Sequence, residues 1–234
     1  MSKAPSVAGV DGCRGGWLCV SENREILTPF VGNSFSELLD RLPAETIIAI
    51  DIPIGLTEAG PRACDIAARR LLGPPRASSV FAAPVRAVLS ASTYEEACIL
   101  HQRADGRKLS KQAFGILRKI AEVDHVLRHN PALQDRIREI HPEVSFAIWN
   151  SGSALRYRKS CVEGRAEREH LIEGEWPADG RLHSCLRDQT FAVDDLNDAI
   201  AALWTARRIA ANQARVLPSA PSVDAFGLRM EIVV

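Results

Sequence analysis

The run Ser6-Val7-Ala8-Gly9-Val10-Asp11 is short, apolar and ends on an acid. The turn-forming Gly12-Cys13-Arg14-Gly15-Gly16 follows, and after it come Trp17-Leu18-Cys19-Val20, a polar turn at Glu22-Asn23-Arg24 and a third apolar run from Ile26 to Val31. Strands joined by turns this short pair antiparallel, because a parallel pair needs a long crossover. Pro29 has no amide donor, which places the third strand at an edge. Ser34 and Glu37 have capping-box spacing, and Phe35, Leu38, Leu39 and Leu42 form a helical stripe that Pro43 stops. Thr46-Ile47-Ile48-Ala49-Ile50-Asp51 then runs without polar alternation, as a strand buried on both faces does. The predicted order is strand, strand, strand, helix, strand.

Residues 61–135 read as Ala-rich and Arg-rich helices broken at Gly73-Pro74-Pro75, Pro84 and Asn130-Pro131. They are predicted to be an enlarged crossover rather than a separate domain. A fifth strand is predicted at Arg136-Ile137-Arg138-Glu139-Ile140, ending in His141-Pro142-Glu143. Residues 150–185 are polar and carry no periodicity. From Asp194 onward, Leu196, Ile200, Leu203 and Trp204 mark one face of a long Ala-rich helix. The tail from Phe226 to Val234 has the pattern of a further strand. The fold class is therefore α/β: a mixed five-stranded sheet flanked by helices, with a helical insertion, in one domain over residues 1–234.

With 46% hydrophobic and 25% charged residues, the chain has the composition of a globular protein. Lys plus Arg and Asp plus Glu both number 29, so no global field favours nucleic acid, although local basic patches exist. Cys13, Cys19, Cys64, Cys98, Cys161 and Cys185 show no CxxC pairing, which predicts reduced thiols in a cytoplasmic protein. No secretory h-region or membrane-spanning stretch is evident.

Candidate chemistry lies in where the acids fall. Asp11 and Asp51 end the first and fourth strands, and if those strands are parallel neighbours the two carboxylates meet at the sheet edge where open α/β sheets carry their sites. Glu143 is expected at the same end of the fifth strand. Asp194 is the expected N-cap of the last helix, and Asp195 and Asp198, three apart, share a helix face. Crowded carboxylates repel unless a cation or a proton lies between them, and hard oxygen donors favour Mg²⁺ or Mn²⁺. The plainer alternative is that these acids cap turns and complement a helix dipole.

Other candidates carry plainer explanations too. His141 is a proton shuttle or support for Glu143, or a structural histidine. Cys13 lacks an evident base, and Gly12, Gly15 and Gly16 fit a hairpin better than a phosphate loop. Arg103, Arg107, Lys108, Lys111, Arg118 and Lys119 form one basic group, and Arg207, Arg208 and Arg215 another. Each is a phosphate track or a solvated helix face.

The acid layout resembles the RNase H-like superfamily, including its Holliday-junction resolvases. More closely, the chain resembles domain-of-unknown-function family 429, whose members are described as RNase H-like nucleases. The residues carrying this are Val10-Asp11-Gly12-Cys13-Arg14-Gly15-Gly16-Trp17 and Ile50-Asp51-Ile52-Pro53-Ile54-Gly55-Leu56. Arg62 with Cys64-Asp65 and Arg69, Ser79-Val80-Phe81 with Pro84, and Leu109-Ser110-Lys111-Gln112 add to them. So do Lys119-Ile120 with Val123-Asp124, His141-Pro142-Glu143, and Asp194-Asp195-Leu196-Asn197-Asp198-Ala199.

The resemblance implies a metal-dependent nuclease or phosphodiesterase. Asp11, Asp51, Asp195 and Asp198 would hold two Mg²⁺ or Mn²⁺, Glu143 would be a further ligand or orient water, and Lys111, Lys119 and Arg62 would bind substrate. Expected partners are RNA, DNA or a nucleotide, and no membrane. Two alternatives stand beside it. One is a single-domain relative of sugar-kinase and actin-type phosphotransferases, the other a non-enzymatic metal-dependent nucleotide or nucleic-acid binding module.

Overall fold

The computed structural model describes residues 5–23, 26–177 and 191–234. In chain order it contains β1 (Val7–Cys13), β2 (Gly16–Asn23), β3 (Ile26–Gly32), α1 (Phe35–Asp40) and β4 (Ile47–Ile50). Next come α2 (Ala63–Leu72), α3 (Tyr94–Asp105), α4 (Lys111–Gly115) and α5 (Leu117–His129). Then follow β5 (Ile137–Glu139), α6 (Pro142–Trp149), α7 (Val162–Glu175), α8 (Val193–Ala210), β6 (Val216–Val223) and β7 (Arg229–Val233). The chain divides into two compact units. The first is Met1–Asp51, Asp135–Arg215 and Val233–Val234, and the second is Ile52–Gln134 and Val216–Ile232.

The first unit is built on a five-stranded sheet of order β3-β2-β1-β4-β5. β1, β2 and β3 form the antiparallel meander, whereas β4 runs parallel to both β1 and β5. This is the mixed α/β sheet the hydrophobic pattern predicts. Pro29 sits on the edge strand β3, opposite Val20. The α1 cap forms as its spacing predicts on one side, with Ser34 Oγ accepting from the Glu37 amide at 3.1 Å. The return arm differs: Glu37 accepts from the Asn33 amide, at 3.0 Å.

α8 lies directly on β1. A Cβ at Gly9 would stand 2.1 Å from the Ala199 carbonyl oxygen and 2.1 Å from the Leu203 amide nitrogen, so glycine is what lets helix and strand backbones touch. Leu196, Ala199, Ile200 and Leu203 are buried there, with Val10, Leu18, Ile48 and Ile50 buried in the sheet. Trp149 stacks on Trp204 at 5.1 Å and meets Trp176 edge-on at 5.7 Å, joining the C-terminal ends of α6 and α7 to α8.

The second unit takes α2 to α5 and the β6-β7 pair. Asp224 organises it: one carboxylate oxygen accepts from the amides of Phe226 and Leu228, and the other accepts from the Leu56 amide and the Arg86 guanidinium. Arg86 also pairs with Asp124 at 2.8 Å. The helices expected over residues 61–135 are present.

Four elements differ from the sequence reading. β1 does not end at Asp11: it stays paired with β2 as far as Cys13, so Asp11 lies within the strand. β5 is shorter than Arg136–Ile140. α7 occupies part of the stretch that carried no periodicity, and β6 precedes the expected terminal strand. β6 contains Pro218 and Pro221, which hide a strand from pattern reading and suit an edge. Among the described residues Cys13, Cys19, Cys64, Cys98 and Cys161 carry no disulfide, while Cys185 lies outside them. No described helix is long and apolar enough to cross a membrane.

Candidate functional site

Parallel pairing of β1 with β4 ends at Val10 opposite Ile50, and the Asp51 amide donates to the Val10 carbonyl at 2.9 Å. Asp11 and Asp51 are the next residues on neighbouring strands about 4.8 Å apart, and equal register puts them on one face. Asp11 lies two residues beyond Gly9, so its side chain leaves the sheet on the face that α8 covers. Two strand residues advance about 6.6 Å and one helical turn about 5.4 Å. Toward the start of α8, Asp195 lies one turn back from Ala199, and Asp198 immediately precedes Ala199. The Gly9 contact thus sets the helix acids over the strand acids.

The acids share one electrostatic environment. Asp11 and Asp198 are buried, the latter 2% exposed, and Asp51 is half-buried. Burial raises the Asp11 carboxyl well above the ordinary range, and the charges of Asp51, Asp198 and Asp195 add to it. Burial likewise raises Asp51, with further repulsion from Asp198, Glu139 and Glu143 partly offset by Lys159. Asp198 is pushed up to about 6, mainly by burial, although Lys159 opposes the shift. Asp11 Oδ1 accepts from the Gly12 amide at 2.7 Å, while Asp198 Oδ1 is buried with no hydrogen-bond partner among the described residues.

Two basic residues absent from the sequence expectation face this cluster. Lys159 Nζ lies 2.5 Å from Asp198 Oδ2, and burial of the ammonium is outweighed by Asp198, Asp51 and Asp11, which raise its proton affinity. The loop carrying it is pinned by Glu167, which accepts from the Arg156 and Tyr157 amides at 3.2 and 2.9 Å. It is also pinned at Gly164, where a Cβ would stand 1.9 Å from the Arg158 carbonyl oxygen. Arg168, fully buried on α7, pairs with Glu143 and donates to the Gly164 carbonyl at 2.5 Å. The buried positions of α7 are Gly164, Arg168 and Ile172, an i, i+4, i+8 stripe whose middle member is a cation. That stripe was the available signal, and an arginine at its centre conceals it. Glu139, at the end of β5, is a buried acid that also acts on Asp51.

Several expected roles change. Glu143 does not end a strand; it lies in the first turn of α6, because Pro142 suits the opening of a helix. Its carboxylate is taken up by Arg168. Asp194 is not the N-cap: Ala192 holds that position, Asp195 Oδ2 accepts from its amide at 2.9 Å, and Asp194 pairs with Arg165 at 3.4 Å. Asp195 is therefore both helix cap and a charge acting on Asp11.

The expected substrate cations belong to the second unit. Arg62 is buried there, paired with Asp65 at 2.6 Å and donating to the carbonyls of Ile54 and Gly55, which makes it a structural residue. Lys111 is exposed at the start of α4, and Lys119 is half-buried on α5. On α8, Arg207 pairs with Glu22 and Glu175, and Arg208 lies over Trp204 at 4.8 Å. Neither is a spare cation for a phosphate track.

Among the described residues no three His, Cys, Asp or Glu side chains form a ready-made metal cage. The chemistry of the donor set nevertheless fits a hard divalent cation: Asp11, Asp51 and Asp198 act on one another as crowded carboxylates, and Asp198 Oδ1 is buried without a hydrogen-bond partner among the described residues. Asp11, Asp51 and Asp198 are the residues that would hold it.

No curated protein and no solved structure matches the chain. A family model does, across residues 9–223. It spans both strand acids, Lys159 and the whole of α8, and on that match the chain belongs to the family described as "Protein of unknown function (DUF429)".

Proposed function

We propose that the carboxylate cluster of the first unit is the active site of a divalent-metal-dependent phosphodiesterase of RNase H-like type, cleaving RNA, DNA or a nucleotide ester in the cytoplasm. The observation that carries this reading is Asp198 Oδ1, buried and without a hydrogen-bond partner among the described residues, in the same electrostatic environment as Asp11 and Asp51, whose proton affinities are both raised. A protein that only needed to cap α8 there would not bury an unsatisfied carboxylate oxygen. Mg²⁺ or Mn²⁺ held by these oxygens would supply Lewis acidity at a phosphoryl group. Asp11 and Asp51 contribute donors fixed by strand register, and Asp198 contributes one fixed by the contact of α8 with Gly9. Glu143, neutralised by Arg168, holds the α6–α7 wall of the site rather than entering it. The mixed sheet, with Asp11 and Asp51 just past the last parallel pair of β1 and β4, supports the RNase H-like assignment.

The test is cleavage of single-stranded RNA, duplex DNA, an RNA–DNA hybrid and a four-way junction in Mg²⁺ or Mn²⁺, with Asp51→Asn as control. Metal-dependent cleavage lost in Asp51→Asn is expected. If wild type cleaves none of these substrates and millimolar Mn²⁺ does not raise its melting temperature, the proposal fails.

A further inference from the structure

Among the described residues, the cations paired with Asp198, Asp194 and Glu143 come from one ten-residue stretch. Lys159 pairs with Asp198, Arg165 with Asp194 and Arg168 with Glu143. The two arginines neutralise acids at the margin of the site. Lys159 is different: its side chain is 48% accessible, yet its ammonium reaches an acid that is almost wholly buried. It acts on Asp51 and Asp11 as well. Its loop is anchored on both sides, by Glu167 and by the close approach at Gly164, so this reach is built into the backbone.

We infer that Lys159 is a resident cation of the carboxylate cluster, standing on Asp198 where a second divalent ion would otherwise bind, so that the site takes one divalent ion. The inference rests on the metal-dependent reading above and fixes its stoichiometry. Asp11, Asp51 and Asp198, when ionised, carry three negative charges, and Lys159 removes one. The remainder matches a single dication. Lys159 holds Asp198 Oδ2, while Oδ1 has no hydrogen-bond partner among the described residues, so one carboxylate can serve both cations. An ammonium supplies fixed positive charge but no exchangeable water, whereas a metal ion supplies both.

Mn²⁺ binding, followed by electron paramagnetic resonance of the free ion, reads the stoichiometry without reference to activity. Wild type and Lys159→Arg are expected to bind one Mn²⁺ per chain. Lys159→Met is expected to bind two, the first about tenfold more tightly, which is the scale of repulsion between a dication and an ammonium about 6 Å apart in water. In the absence of metal, Lys159→Met should melt below wild type, and adding Asp198→Asn should restore it. Two Mn²⁺ per wild-type chain overturns the inference, whether or not the variant folds. One-site binding in wild type with an unaltered Lys159→Met overturns the Lys159 assignment alone. No Mn²⁺ binding by either protein overturns the metal reading on which it rests.

Discussion

Replacing Gly9 with alanine couples fold and site most directly. The added Cβ would stand 2.1 Å from the Ala199 carbonyl oxygen and the Leu203 nitrogen and 2.7 Å from the Leu203 Cα, all backbone atoms that cannot rotate aside. Reaching ordinary contact at 3.4 Å requires 3.4 − 2.1 = 1.3 Å of separation, so α8 must lift from β1 or β1 must bend. Overpacking of this kind costs about 1–3 kcal/mol, and with no side chain able to give, the upper end, about 3 kcal/mol, is expected. For a chain of this size that lowers the melting temperature by about 6–12 °C.

A second effect is separable. Asp198 rides on the same turn of α8, and a shift of about 1 Å at a catalytic or metal-binding group is enough to lose most of its function. Gly9→Ala should therefore also lose the stabilisation by Mn²⁺. Gly174→Ala is the control: that glycine is exposed on α7 with nothing within 4 Å of a built Cβ, so alanine should gain up to about 1 kcal/mol from helix propensity. Urea melts followed by circular dichroism, with and without Mn²⁺, measure both effects. A Gly9→Ala protein that melts within a degree of wild type and keeps its response to Mn²⁺ would refute the proposed seating of α8.

Other consequences follow from the site's charges. The folded-state proton affinities of Asp11, Asp51 and Asp198 are raised, so the stability these groups contribute is fully present below their unfolded values near 4 and is lost as pH rises, through about 6 for Asp198. In EDTA, Asp51→Asn should then be more stable than wild type at pH 7.5, with the advantage shrinking toward pH 4 in a series of thermal melts; a constant difference would contradict the shift. Arg168→Met strands the buried Glu143 charge and should cost about 3–5 kcal/mol, whereas Arg168→Met with Glu143→Leu should recover most of it in urea denaturation. Asp195→Ala removes the bond to the Ala192 amide and should cost about 0.5–2 kcal/mol, but Asp194→Ala breaks only a partly exposed pair and should cost less than about 1 kcal/mol. The reverse ranking would restore Asp194 as the cap.

The sheet was legible because its strands obey simple patterns. The unbroken apolar run at Thr46–Asp51 announced a strand buried on both faces, and the tight turns after Asp11 and Val20 forced the meander. Asp11, Asp51 and Asp198 were legible for the same reason, since each follows or interrupts an apolar stretch whose geometry is known. Glu143 was misplaced by one element because Pro142 reads equally as the end of a strand and the opening of a helix. Asp194 was misread as the cap because a helix beginning after Ala192 offers no capping side chain of its own, and the carboxylate two residues into the helix gave way to the one three residues in. β6 was hidden by its prolines. Arg62 looked like a substrate cation until Asp65 and two carbonyls were found around it.

The residues that escaped have a physical trait in common: they are charges that folding moves next to opposite charge. Pattern reading assigns Lys and Arg to solvent because an isolated buried cation is costly. That cost disappears when carboxylates crowded elsewhere in the sequence need the same neutralisation. The acids on β1, after β4 and on α8 therefore required cations from some other element, and the polar stretch between α6 and α8 supplies them. Its lack of apolar periodicity follows from that requirement. A stripe of Gly164, Arg168 and Ile172 packs as a helix face only because Glu143 waits opposite the arginine, and Lys159 reaches inward only because Asp198 does not pair within its own helix. Where a sequence places several acids at one sheet edge, an adjoining charged segment with no period is thus a candidate wall of the site rather than a loop.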